Sequence, residues 1–230
     1  MAKMFLVPAR AGSKGLPGKN TRILLGKPLL LYSLEYARAL AGPDDLIVLS
    51  SNDPNAIDIA ENNGFQTDFI RPDALSTDTA SGEDVIFHAL DYYKHKQIDT
   101  VVLLQPTSPY RLKEHFEQMK SLYSDQTDMV VSVVESKQNP YFNLFEEENG
   151  YLVKSKASQY TRRQDCPPVY QYNGSIYMIN AERLQAAGSI GKFRKVVKYV
   201  MDQRFASDID TEADFLITEY IMKQSAGTGK

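Results

Sequence analysis

Short apolar runs alternate with amphipathic stretches along most of this chain, and that alternation constrains the fold more than any other feature. KMFLVPA (3–9), LIVLSS (46–51), TVVLLQ (100–105) and MVVSVVE (129–135) are nearly continuous apolar runs. Runs of that kind read as strands buried on both faces. Between them lie helical patterns. Residues 28–41 place Leu30, Leu34, Ala37 and Leu40 at helical spacing, and Gly42-Pro43 stops them. Asn52 or Asp53 caps a helix over 54–63 that ends at Gly64. GFQTDFI (64–70) reads as a short third strand. Ser81 caps a helix from Glu83 to about Lys96, and another runs from about Lys113 to Tyr123. NGSIYMIN (173–180) and VVKYVM (196–201) read as further strands, with a short helix (181–187) between them. The last helix follows Asp210-Thr211-Glu212 and runs to about Met222, leaving SAGTGK as a frayed tail.

This order of elements predicts an α/β fold with a mostly parallel sheet and helices on both faces. Functional loops then gather at the C-terminal ends of the strands, here after Ala9, Ser51, Gln105 and Glu135. The alternation breaks at 137–172, which is rich in aromatic, polar and proline residues. Asn149-Gly150 marks a hairpin turn between Phe145 and Tyr151–Val153. We read this stretch as an arm inserted in one domain spanning 1–230. Its exposed aromatics need a cover, either a ligand or a second subunit.

The chain has 230 residues and a net charge of −3, from 26 basic and 29 acidic residues. No basic excess points to nucleic acid. The basic residues bunch locally, at Arg10 to Arg22 and at Arg162–Arg163, which suits a small anionic ligand. A lone cysteine, Cys166, makes no internal disulfide and has no evident histidine partner. The apolar stretch in MAKMFLVPAR is too short for a signal core or a membrane span, so the expected location is cytoplasmic, with no membrane partner.

Four constellations carry chemistry. After the first strand comes Arg10-Ala11-Gly12-Ser13-Lys14-Gly15, followed by Gly18-Lys19-Asn20. Its glycines let backbone approach a ligand closely, successive N–H groups can cradle phosphate oxygens, and Arg10, Lys14 and Lys19 add three charges. It is not a Walker loop, because Asn20 follows Lys19 where Ser or Thr is required. The second is Asp208-Ile209-Asp210-Thr211-Glu212. In extended backbone its two aspartates point to one side, as two Mg²⁺ ligands would, while Asp210 or Thr211 can also cap the last helix. The third, Gln105-Pro-Thr107-Ser108-Pro-Tyr110-Arg111, offers amide and hydroxyl groups for a polyhydroxylated ligand. Its arginine suits an anion or a nearby acid, and the same string is also a proline-stiffened turn. The fourth is Tyr172-Asn173-Gly174-Ser175-Ile176-Tyr177, with Arg162 and Arg163 upstream; arginine meets a carboxylate better than lysine does, though the pair also reads as solvated charge. Of the histidines, His88 reads as structural, and His95 and His115 fall on exposed helix faces. No His/Cys cluster suggests zinc.

Together and in this order, VPARAGSKGLPGKN, RPDALSTDTAS, LLQPTSPYR, YNGSIY and DIDTEADF resemble the acylneuraminate cytidylyltransferase family, from about residue 5 to 217. The resemblance implies a Rossmann-like nucleotidyltransferase fold, usually dimeric, with the inserted arm exchanged or packed between subunits. It also implies CTP and a nine-carbon sugar acid as substrates, with Mg²⁺ as cofactor. On that reading Arg10 and Lys14 hold the triphosphate within the loop that includes Ala11, Gly12 and Ser13. Lys19 sits at the α-phosphate, and Asn20 near the ribose or phosphate. Arg71, Ala80 and Ser81 match the stretch that reads cytosine. Gln105, Thr107, Asn173 and Tyr177 fall where the family binds sugar, Arg163 where the sugar carboxylate is met, and Asp208 and Asp210 match the metal ligands. The chain departs from the family at Gly82, where some members carry Ser, at Tyr110, where Leu is usual, and along the arm.

The expected reaction is attack of the sugar's anomeric hydroxyl on the α-phosphorus of CTP, with pyrophosphate leaving. Three rivals are a cytidylyltransferase for the eight-carbon acid Kdo, a non-catalytic nucleotide-binding protein, and a glycosyltransferase. SKGLPGKN argues against the first. Retention of Lys19 and both aspartates argues against the second. The C-terminal position of DID argues against the third.

Overall fold

A computed structural model describes residues 2–227 of the chain. The first strand, β1 (Ala2–Pro8), carries four consecutive buried residues, Met4 to Val7. Successive side chains point to opposite faces of a strand. Phe5 and Val7 accordingly enter one core, with Leu30, Leu34, Phe116 and Met119, while Met4 and Leu6 enter a second, with Val85, Ile86, Leu90 and Leu184. Both faces of the strand are therefore covered by helices, as its continuous apolar character requires.

In chain order there follow β2 (Ile23–Leu24), β3 (Lys27–Pro28), α1 (Leu29–Leu40), β4 (Leu46–Ser50), α2 (Pro54–Asn62), α3 (Gly82–Tyr92), β5 (Ile98–Leu103) and α4 (Lys113–Leu122). Then come β6 (Met129–Glu135), β7 (Phe145–Glu148), β8 (Tyr151–Lys154), β9 (Tyr170–Asn180), α5 (Ala181–Ala187), β10 (Val196–Val200) and α6 (Glu212–Gly227). Among the described residues the main sheet has six strands in the order β10-β6-β9-β5-β1-β4. The pairs β1/β4, β1/β5 and β6/β10 are parallel, and β9 runs antiparallel to both β5 and β6. The inserted segment explains that exception. The chain leaves the end of β6, makes the β7–β8 hairpin, and returns at the same edge of the sheet, so the next strand must run the other way. As a result, the start of β9 joins the C-terminal ends of β1, β4, β5, β6 and β10 along one edge.

Local signals set the helix ends. Asp53 caps α2 by accepting from the Asn55 N–H at 3.0 Å, and Ser81 and Asp84 form a reciprocal capping box on α3. At the hairpin, Asn149 and Gly150 both have positive φ, as the tight turn demands.

Four expectations are corrected. GFQTDFI is not a strand: β4 lies at the sheet edge, and beyond its end only the Arg71 N–H bonds the Ser51 carbonyl, at 2.8 Å. Phe69 instead packs its ring 4.9 Å from His88 and from Tyr92. Helix α3 stops at Tyr92, where the chain turns. Helix α6 continues past Met222 to Gly227; 228–230 of the expected frayed tail lie outside the described residues. His115 is buried, because Tyr199 and Phe205 cover its face of α4.

Arg111 is committed to the protein's own oxygens, none of them a carboxylate. Its buried guanidinium donates to the carbonyls of Gln105 and Ser175 and to Ser33 Oγ, at 2.6–3.0 Å. It ties the turn after β5 to β9 and α1. Burial pulls its pKa down to about 10, which leaves it charged at neutral pH. Arg111→Ala would strand those acceptors, and we expect a loss of about 3 kcal/mol in urea unfolding. A loss under about 1 kcal/mol would show that water replaces the guanidinium there.

Candidate active site

The order of strands reverses at β1, with β4 on one side and β5 on the other. Such a switch point opens a crevice in which ligands bind. A cavity of about 280 Å³ lies there, lined by Arg10, Ser13, Lys19 and Asn20 after β1, by Arg71, by the 75–82 segment ahead of α3, and by Gln105 to Thr107 after β5.

The loop after β1 is held at several points. The Asn20 amide donates to the Arg10 carbonyl at 3.1 Å, closing the loop on itself, and the Ala11 N–H donates to Asn52 Oδ1 at 2.9 Å. Gly12 and Gly18 take the left-handed conformation. Among the described residues, the N–H groups of Gly12, Ser13, Lys14 and Gly15 have no intramolecular acceptor. Free amides in succession form an anion-binding concavity. Gly15 lies directly against the Asp210 carbonyl oxygen, in space that a Cβ would occupy. Leu16 packs with Leu24, Leu29, Ile209 and Phe215 in a small core of their own. Arg22 pairs with Glu212. The loop is thus docked along the segment that precedes α6.

That segment carries the two aspartates. The Ile209 N–H donates to the Thr107 carbonyl at 2.9 Å, pinning it to the turn after β5. Thr211 and Asp214 cap α6 reciprocally, so Thr211 rather than Asp210 is the cap. Lys19 Nζ lies 2.8 Å from Asp210 Oδ1, and its side chain is only 11% exposed. Protein crowding around the Asp208 carboxyl, on the side of Thr107 and Gly174, pushes its pKa up. A hydrogen bond from Thr107 and the charge of Lys19 oppose that rise, and the Asp210 charge adds to it. Among the described residues no group of three or more His, Cys, Asp or Glu forms a metal cluster. Asp210 at Lys19, with Asp208 close enough to feel both charges, offers a carboxylate pair of the kind that fits an ion such as Mg²⁺, which takes one or two carboxylates and completes its shell with substrate phosphates.

The remaining candidates separate. Arg71 lines the cavity but is buried, its guanidinium bonded to Ser50 Oγ and the Ser50 carbonyl; burial, then the charge of Arg10, lowers its pKa to about 10. Ala80 and Ser81 line it too, with the Ala80 N–H bonded to Thr77 Oγ1 and the Ser81 hydroxyl engaged in the cap. Gln105 reaches toward Gly174, where an added Cβ would stand 2.6 Å from its Oε1. Tyr177 is half-buried and does not line the cavity; burial followed by the Asp208 charge pushes its pKa up to about 12. Asn173 turns inward: its Oδ1 accepts from Ser132 Oγ and the Ser175 N–H, and its amide nitrogen meets Met201 sulfur. Within this one chain Arg163 lines a different cavity, with Glu135, Gln164, Cys166 and Pro168.

Some site residues escaped the sequence reading. Asp78 lines the cavity and bridges Arg10 and Lys14. Asn52 holds both Ala11 and Asp73. Leu75, Thr77 and Val85 complete the wall. A cluster of three cations in a near-neutral chain calls for a counter-ion, and that was the available signal for Asp78.

A switch-point cavity walled by a cationic glycine loop, with Asp210 held against Lys19 of that loop, is the arrangement of a nucleotidyl-transfer enzyme. The chain belongs to the cytidylyltransferase family, whose model matches residues 4–226. It is 33% identical to a CMP-N,N'-diacetyllegionaminic acid synthase of Legionella pneumophila, over 97% of each chain. It is also 33% identical to an N-acylneuraminate cytidylyltransferase of Streptococcus agalactiae, over 94% of this chain and 52% of that protein, so it spans about half of that relative's length. In fold it resembles the solved CMP:2-keto-3-deoxy-manno-octonic acid synthetase complexed with CTP. The TM-score is 0.72 at 18% identity, covering 98% of this chain and 100% of the other.

Gly15→Ala should push the loop off the Asp210 carbonyl. We expect kcat/KM for the nucleotide to fall by about 10²-fold, since misplacing a catalytic group by about 1 Å costs that much, with little change in Tm. Near-normal kinetics in this variant would show that the loop does not depend on that contact.

Proposed function

We propose that this enzyme transfers CMP from CTP to the anomeric hydroxyl of a nonulosonic, sialic-acid-like sugar acid and releases pyrophosphate. One observation carries the reading: the Lys19 ammonium, which lines the cavity, stands 2.8 Å from Asp210, so the cationic loop and the aspartate segment are in direct contact. The family supplies the nucleotide class, and the names of the two relatives supply the sugar class. The likeness to the octonic acid synthetase is one of fold and adds no argument for an eight-carbon acid.

In this proposal Arg10, Lys14 and the amides of Gly12 to Gly15 hold the triphosphate. Lys19 holds the α-phosphate oxygens, and the 71–82 wall receives the cytosine. Gln105 and Thr107, with Tyr177 beside them, face the sugar. The hydroxyl oxygen bonds to the α-phosphorus as the bond to the β-phosphate oxygen breaks, and the hydroxyl proton passes to solvent. Such transfer depends mainly on positioning and on stabilising charge. Asp208 and Asp210 would hold Mg²⁺, which supplies charge neutralisation on the phosphates when bound.

The arm belongs to the proposal as a dimer contact within a single-domain subunit. Phe145, Tyr151, Leu152 and Val153 on the β7–β8 hairpin are exposed, Tyr151 and Leu152 by 78% and 75%. A lone two-stranded hairpin is marginal in water, and a partner subunit would cover this face. The same packing would bring Arg163 toward a sugar carboxylate in the assembly. Among the described residues no helix is long and apolar enough to cross a membrane. A reaction that consumes CTP belongs where that nucleotide is held, so we place it in the cytoplasm.

The test is pyrophosphate release from CTP and Mg²⁺ across a panel of nonulosonic acids, with Kdo, UTP and no-sugar controls. Release should require CTP together with a nine-carbon acid, and Lys19→Ala should lower kcat by about 10²–10³-fold, as loss of one preorganised donor does. Release with Kdo alone, or a loss under about tenfold in the variant, would contradict the assignment.

A further inference from the structure

The proposed reaction leaves one acid at the cavity without a task. Asp78 Oδ1 accepts from Arg10 Nη2 at 2.6 Å, and its Oδ2 lies 2.5 Å from Lys14 Nζ. A single carboxylate therefore engages two of the three cations assigned to the triphosphate, one oxygen on each. Arg10 also donates to the Ser76 carbonyl at 3.4 Å, so it holds the same segment a second time. The cavity that Asp78 lines measures about 280 Å³, near the lower end of the ~300–1,000 Å³ usual for small-molecule sites.

The bridge is built to exchange. The Asp78 side chain is 39% exposed, and those of Arg10 and Lys14 are 33% and 82% exposed. Ion pairs in contact with water are weak and give way to a stronger competitor. The segment around Asp78 also has bonds of its own: Thr77 Oγ1 meets Thr79 Oγ1 and accepts from the Ala80 N–H. It keeps those bonds when the carboxylate lets go.

We propose that Asp78 is an internal stand-in for phosphate, holding Arg10 and Lys14 together in the nucleotide-free enzyme and giving them up to the incoming triphosphate. This rests on the assignment of those two cations to the triphosphate. Two carboxylate oxygens on two cations reproduce the contacts of two phosphate oxygens. Once the triphosphate is bound, like-charge repulsion turns the Asp78 carboxylate away from the loop, while its segment keeps its own bonds. A carboxylate that merely oriented the cations would act in the opposite sense, because its removal would weaken binding.

Calorimetric titration of CTP, and separately of inorganic tripolyphosphate, into metal-free wild-type protein, Asp78→Asn and Asp73→Asn distinguishes these roles. Asp73 is a nearby acid whose side chain accepts from Asn52 and touches neither cation. Asp78→Asn should bind both ligands about threefold to thirtyfold more tightly, as expected for two exposed pairs that no longer have to be broken. The gain should shrink as salt is raised. Asp73→Asn should stay within about twofold of wild type. Weaker or unchanged binding by Asp78→Asn overturns the proposal, as does equal tightening by Asp73→Asn. Wild-type protein that binds neither CTP nor tripolyphosphate would sink the nucleotide assignment itself, and the stand-in with it.

Discussion

The site depends on one docking: the glycine loop after β1 lies against the chain that leads into α6. These segments are almost two hundred residues apart, and three kinds of contact join them. Gly15 sits against the Asp210 backbone where no side chain fits. Leu16, Ile209 and Phe215 share a small apolar core. Lys19 and Arg22 pair with Asp210 and Glu212. The apolar contact sets the distance, and the glycine lets the backbones meet. The ion pairs are exposed on at least one side and add little stability. Their effect is to hold cations of the loop against carboxylates of the segment that leads into α6.

The sheet supplies the other half of the site through β9. Because the arm returns the chain to the edge it left, β9 begins where the parallel strands end. That puts Gly174 against Gln105, Ser108 and Asp208, and Tyr177 within reach of the Asp208 charge. Arg111 then locks the turn after β5 to β9 by bonding carbonyls rather than a ligand. A buried guanidinium whose hydrogen bonds all go to carbonyl and hydroxyl oxygens makes this junction stiff. The wall beneath the proposed sugar site is therefore held from inside, while the cationic loop is held by a small apolar core with water-exposed ion pairs around it.

Much of this was legible in the sequence because it follows from local rules. Strands β1, β4, β5 and β6 are apolar on both faces, and α2 and α3 begin at the caps that Asp53 and Ser81 announce. The cationic loop and the aspartate pair were legible as chemistry, since their residue types are rare together by chance. What escaped was set at a distance. GFQTDFI has the composition of a strand, yet it does not pair with the edge strand β4 and packs Phe69 against His88 and Tyr92 instead. His115 sits on a polar-looking face that Tyr199 and Phe205 cover from far along the chain. Asn173 has the chemistry of a sugar ligand, yet Ser132 and Ser175 turn it inward. Asp78 pairs with residues sixty-odd positions away, and no periodicity reports such a contact.

The central claim is that the glycine loop and the two aspartates form one site for a metal and a polyphosphate. Electron–nuclear double resonance on Mn²⁺, used in place of Mg²⁺ with bound CTP, tests it most directly. The account predicts phosphorus hyperfine coupling to the metal in the wild-type protein and its loss in an Asp208→Asn, Asp210→Asn double variant. Bound Mn²⁺ with no phosphorus coupling, or coupling untouched by the double variant, would contradict it.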